Sequence, residues 1–268
     1  MPPAIGTFDN THPDDDWLHW MADVGGDPHS FVCNLAFEVD TRRRGRSLVA
    51  IEFTLPESDE TRGLGSETDR DTTRDAAERV LSALQRKTGR DPDAVAMTTG
   101  RLRRTAYIAT RETRDDREAL ERSIREAAGD VFPIEIKYYT WDLYNDWLYP
   151  RRSDFRWAEA AEMRDERERR GDDVTAERPV DHHAWFTSRK QAGAYADAVG
   201  GYGAFDARVH RAPRLPLRKR PWGVSFRVRH AMDTNTIFAM HTRFADLAES
   251  MAGEYEGYGA EIIPADPT

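Results

Sequence analysis

The sequence predicts an α+β protein of two domains, and three observations carry that prediction. The chain has 268 residues, more than the roughly 100 to 200 typical of one domain, so two compact units of similar size are expected. Its first half mixes strand-like and helix-like segments. Its second half runs strand, helix, strand, strand, helix, strand, the split βαβ order of a ferredoxin-like sandwich with helices on one face of an antiparallel sheet. The domains are accordingly placed at 1–150 and 151–268, the first as a related antiparallel sheet with an extra leading strand and helices on one face.

In the first half, apolar runs at 30–39 and 48–55 flank the turn-like TRRRGRS and read as a hairpin. An Asp-rich loop over 57–71 leads to a helix that opens at Asp71 or Thr72. This helix carries Ala76, Val80, Ala83 and Leu84 on one face and stops at Gly89. Strands at 94–99 and 105–110 follow, split by the turn TGR. A helix over 116–128 presents Leu120, Ile124 and Ala127 and ends at Gly129, and a last strand covers 134–139. The segment WDLYNDWLYP then concentrates Trp141, Tyr144, Trp147 and Tyr149, as residues that pack a domain end do. The Gly-Gly pairs at 25–26 and 200–201 read as turns.

The second half opens with a charged helix over 155–173, in which Trp157, Ala160, Ala161 and Arg164 face a neighbour and the run ERERR reads as solvated. Strands are expected at 179–186, 205–212, 223–230 and 259–263, with helices at 188–200 and 236–251. The leading helix makes this a ferredoxin-like sandwich with one addition.

Charge is unevenly placed. Residues 1–150 carry 20 Lys and Arg against 29 Asp and Glu, whereas 151–268 carry 19 of each. Within the second half, positions 208–229 hold eight basic residues and no acid. No run approaches the roughly 20 apolar residues of a membrane span, and the start lacks the basic flank and apolar core of an export signal. A cytoplasmic location is the expectation. The single cysteine, Cys33, sits in an alternating run and reads as a small buried residue without an internal disulfide partner.

Two stretches resemble known bacterial families. GLGSETD leading into a helix, TTGRLRRTAYIAT and the closing WDLYNDWLYP make residues 17–150 similar to the domain of unknown function numbered 695. The leading helix ending in GDD, the strand RPVDHHAWF, the glycines at 200–201 and FADLAESMAGEYEGYGAEI make residues 156–263 resemble RraB, the regulators of ribonuclease E activity. Glu256 and Tyr258 stand where many members have Asp and Trp. The resemblance implies a ferredoxin-like second domain and a ribonuclease-regulating activity.

Several residues invite a chemical role. His182 and His183 are neighbours on a predicted strand and so point to opposite faces; one belongs in the core and one at the surface. A hydrolase or transferase site would require one of them to meet Glu254. Glu254 and Glu256 flank Tyr255 in what reads as a turn held by Gly253 and Gly257. No HxH, HExxH or CxxC spacing supplies a metal site, and no P-loop, dinucleotide fingerprint or GxSxG elbow is present, so no cofactor is expected. The basic loop offers a binding surface: Arg211, Arg214, Arg218, Lys219 and Arg220, followed by Trp222. Those residues suit a protein partner and also combine phosphate-seeking charge with a stacking ring, as RNA recognition does. The function expected is therefore a non-catalytic regulator that binds a protein partner, and the resemblance to RraB implies a ribonuclease as the target. The alternatives are an immunity-type inhibitor of a nuclease toxin, a direct RNA binder, or the small hydrolase.

Overall fold

A computed structural model describes residues 17–37, 47–56, 64–88, 93–110, 117–212 and 221–265. The chain divides into two compact units between Phe155 and Arg156. Each is built on an antiparallel sheet, which is the α+β class that the sequence predicts.

Among its described residues the first unit holds six strands: β1 (Trp17–Val24), β2 (Asp27–Asn34), β3 (Ser47–Thr54), β4 (Asp93–Gly100), β5 (Arg103–Thr110) and β6 (Ile134–Thr140). Their order across the sheet is β1-β2-β4-β5-β3-β6. Gly25 and Gly26, with φ of 68° and 94°, supply the two left-handed positions of a tight hairpin turn, and that turn sets the β1–β2 register. The hairpin expected between 30–39 and 48–55 does not form. β2 is flanked by β1 and β4, while β3 lies between β5 and β6. The cause is local: two glycines close β1 onto β2 within two residues, so that side of β2 is already taken. Residues 41–46 of the TRRRGRS segment lie outside the described residues.

Helix α1 (Glu67–Thr88) starts earlier than Asp71. Ser66 Oγ accepts from the Asp69 amide at 3.1 Å, and the Asp69 carboxylate accepts from the Ser66 amide at 2.9 Å. This reciprocal cap satisfies first-turn donors and fixes the start. Together with α2 (Arg117–Ala128), α1 covers one face of the sheet. Val80, Leu84, Leu120 and Ile124 meet Val49, Ile51, Phe53, Ala106 and Ile108 there.

The second unit contains most of α3 (Arg152–Arg169), then β7 (Arg178–Phe186), α4 (Arg189–Gly200), β8 (Phe205–Arg211), β9 (Trp222–His230), α5 (Thr234–Ser250) and β10 (Glu254–Gly259). The sheet order β10-β7-β9-β8 with antiparallel neighbours realises the predicted βαββαβ arrangement. Alternate residues of β7 and β9, namely Ala184, Phe186, Val224, Phe226 and Val228, face Ala192, Tyr195 and Val199 of α4 and Phe244 and Ala248 of α5. Ala160 of α3 adds a smaller cluster with Val174, Val180, Met232 and Ile237.

The last strand is displaced from its predicted place. It occupies Glu254–Gly259 rather than 259–263, so the supposed turn around Tyr255 is itself strand. Ala252 takes φ 56°, and the Phe186 ring fills the space that a side chain at Gly253 would need. The chain therefore reverses directly off α5. A bulge between Tyr255 and Gly257 breaks the two-residue period, which hides the strand from pattern reading.

Candidate functional site

The DHH motif lies at the centre of the second unit, and the two histidines separate as strand parity requires. His182 is 1% exposed, with its ring stacked on Phe226 at 5.1 Å and edge-on to Phe244 at 4.9 Å. Its Nδ1 lies 2.7 Å from the Tyr255 hydroxyl and its Nε2 lies 3.3 Å from His230 Nε2. His230 Nδ1 in turn lies 2.6 Å from the carbonyl of Ala231. A carbonyl can only accept, so His230 Nδ1 carries its proton and His230 Nε2 accepts. His182 Nε2 therefore donates, and His182 Nδ1 receives the Tyr255 hydroxyl proton. One assignment with both rings neutral satisfies every contact. Burial, followed by the neighbouring His230, His183 and His241, pulls the His182 pKa down to about 3, and burial also lowers that of His230. The chain of hydrogen bonds begins at a half-buried tyrosine and ends on backbone.

Glu254 does not join it. Register places Glu254 opposite Trp185 and Tyr255 opposite Ala184. With Tyr255 packed toward His182 and His241, Glu254 sits on the other face of the sheet from His182. His183 shares that outer face. The same side carries Trp185, which donates to Glu256 at 2.6 Å and stands edge-on to His210 at 5.5 Å. Both rings lie over Gly223, where any side chain would collide with them. Arg227 pairs with Asp181 across the strands at 2.7 Å. Among the described residues no three His, Cys, Asp or Glu side chains converge as metal ligands.

Of the basic-loop residues, Arg214, Arg218, Lys219 and Arg220 lie outside the described residues. The base of the hairpin is described: the Ala212 amide donates to the Pro221 carbonyl at 2.8 Å. The Arg211 guanidinium lies 5.7 Å from the centre of the Trp222 ring, and Arg189, at the start of α4, lies 5.9 Å from it. Sequence reading missed Arg189, which reaches Trp222 because Ser188 caps α4 beside the end of β7. Next to this cluster, β8 is the last strand of the sheet and is exposed along all seven residues.

Arg167, expected in solvent, is buried instead, and Arg178 is buried with it. Arg167, within the ERERR run, and Arg178 both bind Asp172 at 2.5 Å. Asp172 also accepts from the Ile263 amide at 2.8 Å, while Arg167 donates to the carbonyls of Ala260 and Glu261. Burial opposes ionisation of Asp172, but the hydrogen bonds from Arg178, Ile263 and Arg167 outweigh it and hold its pKa below the usual value. The GDD motif is thus a clamp on the segment that follows β10. Cys33 is buried, and burial pushes its thiol up to about 12, which leaves no thiolate for chemistry.

The class of protein is set first by the larger match. Residues 15–149 match a family of unknown function, DUF695, and the chain belongs to that family. Residues 157–260 match the family described as regulator of ribonuclease activity B, RraB. The two matches follow each other in the order that the sequence motifs suggest. No curated protein matches the chain. A crystal structure of an unknown protein from Galdieria sulphuraria is 7% identical, with a TM-score of 0.23 over 81% of this chain and 99% of that one. A likeness that slight bears on neither fold nor function.

Proposed function

We propose that the protein is a non-catalytic, cytoplasmic regulator that binds a ribonuclease and lowers its activity by masking a surface. The observation that carries this reading is the match of residues 157–260 to the regulator of ribonuclease activity B family. The packing of the DHH motif supports it. His182 spends both ring nitrogens on internal hydrogen bonds, which leaves neither for general acid or base work on a substrate.

The contact surface is the exposed edge strand β8 with the arginines around Trp222. An edge strand offers a row of backbone groups to an added strand, and flanking cations orient an acidic segment. Arg211 and Arg189 provide that charge next to the Trp222 ring, and Arg214, Arg218, Lys219 and Arg220, which follow Arg211 in the sequence, add to it.

The test is capture of the tagged chain's partners from its own cell lysate, with and without ribonuclease treatment, followed by mass spectrometry. The expected result is retention of a ribonuclease after RNA is destroyed, with RNA cleavage by that enzyme slowed when the chain is added. Converting Arg211, Arg218, Lys219 and Arg220 to Glu should weaken capture at least about tenfold, a loss of about 1.4 kcal/mol, without lowering the melting temperature. Capture that vanishes with the RNA would overturn the reading in favour of direct RNA binding.

A further inference from the structure

The face of the first sheet turned away from α1 and α2 is closed only in part. At its β1–β2 end, Trp20 stacks on Phe31 at 5.1 Å, and Trp147 meets Phe31 and Tyr107 edge-on at 5.3 Å and 6.1 Å. The π-helical turn Tyr144–Leu148 lies over this end, and the Tyr144 hydroxyl donates to the Asn34 carbonyl at 3.0 Å. Beside that aromatic wall the face opens into a cleft of about 550 Å³, within the roughly 300 to 1,000 Å³ of small-molecule sites.

The floor of the cleft is polar where a core would be apolar. Strand pairing aligns Thr98 of β4, Thr105 of β5 and Glu52 of β3 in one row across the sheet. The row next to it is Ala96, Tyr107 and Ala50. Thr98 and Thr105 are 5% and 8% exposed, and they lie in the row beside Tyr107. On the other side of the floor, the His29 ring lies over Gly100, where a side chain would displace it. Gly100 pairs with Arg103, whose guanidinium holds Glu52 at 3.0 Å. Lys137 holds the other Glu52 oxygen at 3.2 Å.

Two features define what would fit. First, the lining charges cancel: Asp27 and Glu52 stand against Arg101 and Arg103, so neither an anion nor a cation is favoured. Second, donors and acceptors are interleaved. His29 Nδ1 lies 3.1 Å from the Asp27 carbonyl and therefore carries the proton of the neutral ring, which leaves Nε2 as an acceptor. The Glu52 carboxylate accepts, Arg101 and Arg103 donate, and the hydroxyls of Thr98, Thr105, Tyr107 and Tyr139 do both. Groups that donate and accept at once are what such a lining recognises, and Trp147, 37% exposed, offers a flat apolar face beside them.

We propose that this cleft is a binding site for a small uncharged ligand that presents vicinal hydroxyls on a ring, a monosaccharide or the ribose of a nucleoside. Thr98, Thr105, Glu52 and Arg103 bind the hydroxyls, and Trp147 covers the ring's apolar face. The site lies within the first unit and is independent of ribonuclease binding by the second.

Isothermal titration of the full chain with glucose, galactose, ribose, adenosine and uridine tests it. At least one probe should bind with a Kd below about 1 mM, and removing a hydroxyl from it, as in 2′-deoxyadenosine, should weaken binding at least about tenfold because buried partners are left unmatched. Glu52→Gln and Thr105→Ala should weaken it by a similar factor. Arg101→Ala, a change in an exposed turn, provides a variant whose folding is not at risk and should weaken it about threefold or more. Binding by sugars alone or by nucleosides alone identifies the source of the ring. No probe binding more tightly than about 10 mM, binding unchanged in all three variants, or a tenfold preference for a nucleoside monophosphate over its nucleoside would each overturn the proposal.

Discussion

Both units bury polar side chains against an antiparallel sheet, and they do so in opposite ways. In the second unit Tyr255, His182, His230 and the Ala231 carbonyl form a sequence in which each donor meets an acceptor inside the protein. Asp172 is likewise surrounded by Arg167, Arg178 and the Ile263 amide. In the first unit Thr98, Thr105 and Glu52 lie under an open cleft and keep capacity toward it. Buried polarity that is closed on itself fixes a fold. Buried polarity that opens to solvent is available to a ligand. Substitutions that probe stability should therefore hurt at the closed sites and leave the open one nearly unaffected.

The largest effect is expected at Asp172. Its side chain is fully enclosed between two arginines, and removing one partner of such a group leaves uncompensated buried charge at a cost of about 3 to 5 kcal/mol. Asp172→Ala should lower the unfolding free energy by that amount and release the segment after β10, seen as faster amide exchange at Ile263. A loss under about 1 kcal/mol would mean that Arg167 and Arg178 find other partners and that the clamp is not closed.

A smaller effect separates the histidine chain by pH. His182 is held at about 3 and His230 is also lowered when folded, while in the unfolded chain both titrate near 6.5. Above pH 6.5 both states are neutral and the stabilisation is complete. As pH falls below 6.5 the unfolded chain takes up protons that the folded one refuses, so stability declines by up to about 1.4 kcal/mol per pH unit from His182, with His230 adding in the same direction. Between pH 6.5 and 4.5 the unfolding free energy should drop accordingly, and His182→Gln should remove one proton's share of the slope. A slope unchanged in His182→Gln would show that this ring is not the one excluded from protonation. Asp172, lowered below its ordinary carboxylate value, adds a further loss only at the acid end, as pH falls through its unfolded and then its folded pKa.

Much of the fold was legible because its signals are local. Strand parity alone separated His182 from His183, and the order of apolar segments gave the βαββαβ arrangement of the second unit. What escaped depended on partners distant in sequence. The β1–β2 hairpin was hidden because WLHWMADV mixes His and Asp into an apolar run, and a glycine pair was the only strong mark of it. β10 was misplaced because the bulge at Glu256 breaks the period on which strand reading relies. Arg167 looked solvated within ERERR, since nothing local announces that Asp172, five residues on, folds back beneath it beside Arg178. The cleft was least visible of all. Thr98, Gly100 and Arg103 read as a turn and its flanks, and only the register with Glu52 and the ring of His29 bring them to one face.

The smallest effect is the one that most sharpens the contrast between the units. Thr98→Val removes a buried hydroxyl, yet that hydroxyl lies under the cleft, which admits water to whatever is left unpaired. The stability change should stay within about 1 kcal/mol, the net worth of one ordinary hydrogen bond. His182→Ala, also a single buried residue, should cost about 2 to 4 kcal/mol, since it strands Tyr255 and His230 and opens a cavity against Phe226 and Phe244. Paired urea denaturation of the two variants measures the difference directly. If Thr98→Val proves as costly as His182→Ala, the hydroxyls under the cleft are structural, and the open face of the first sheet is a closed network like that of the second.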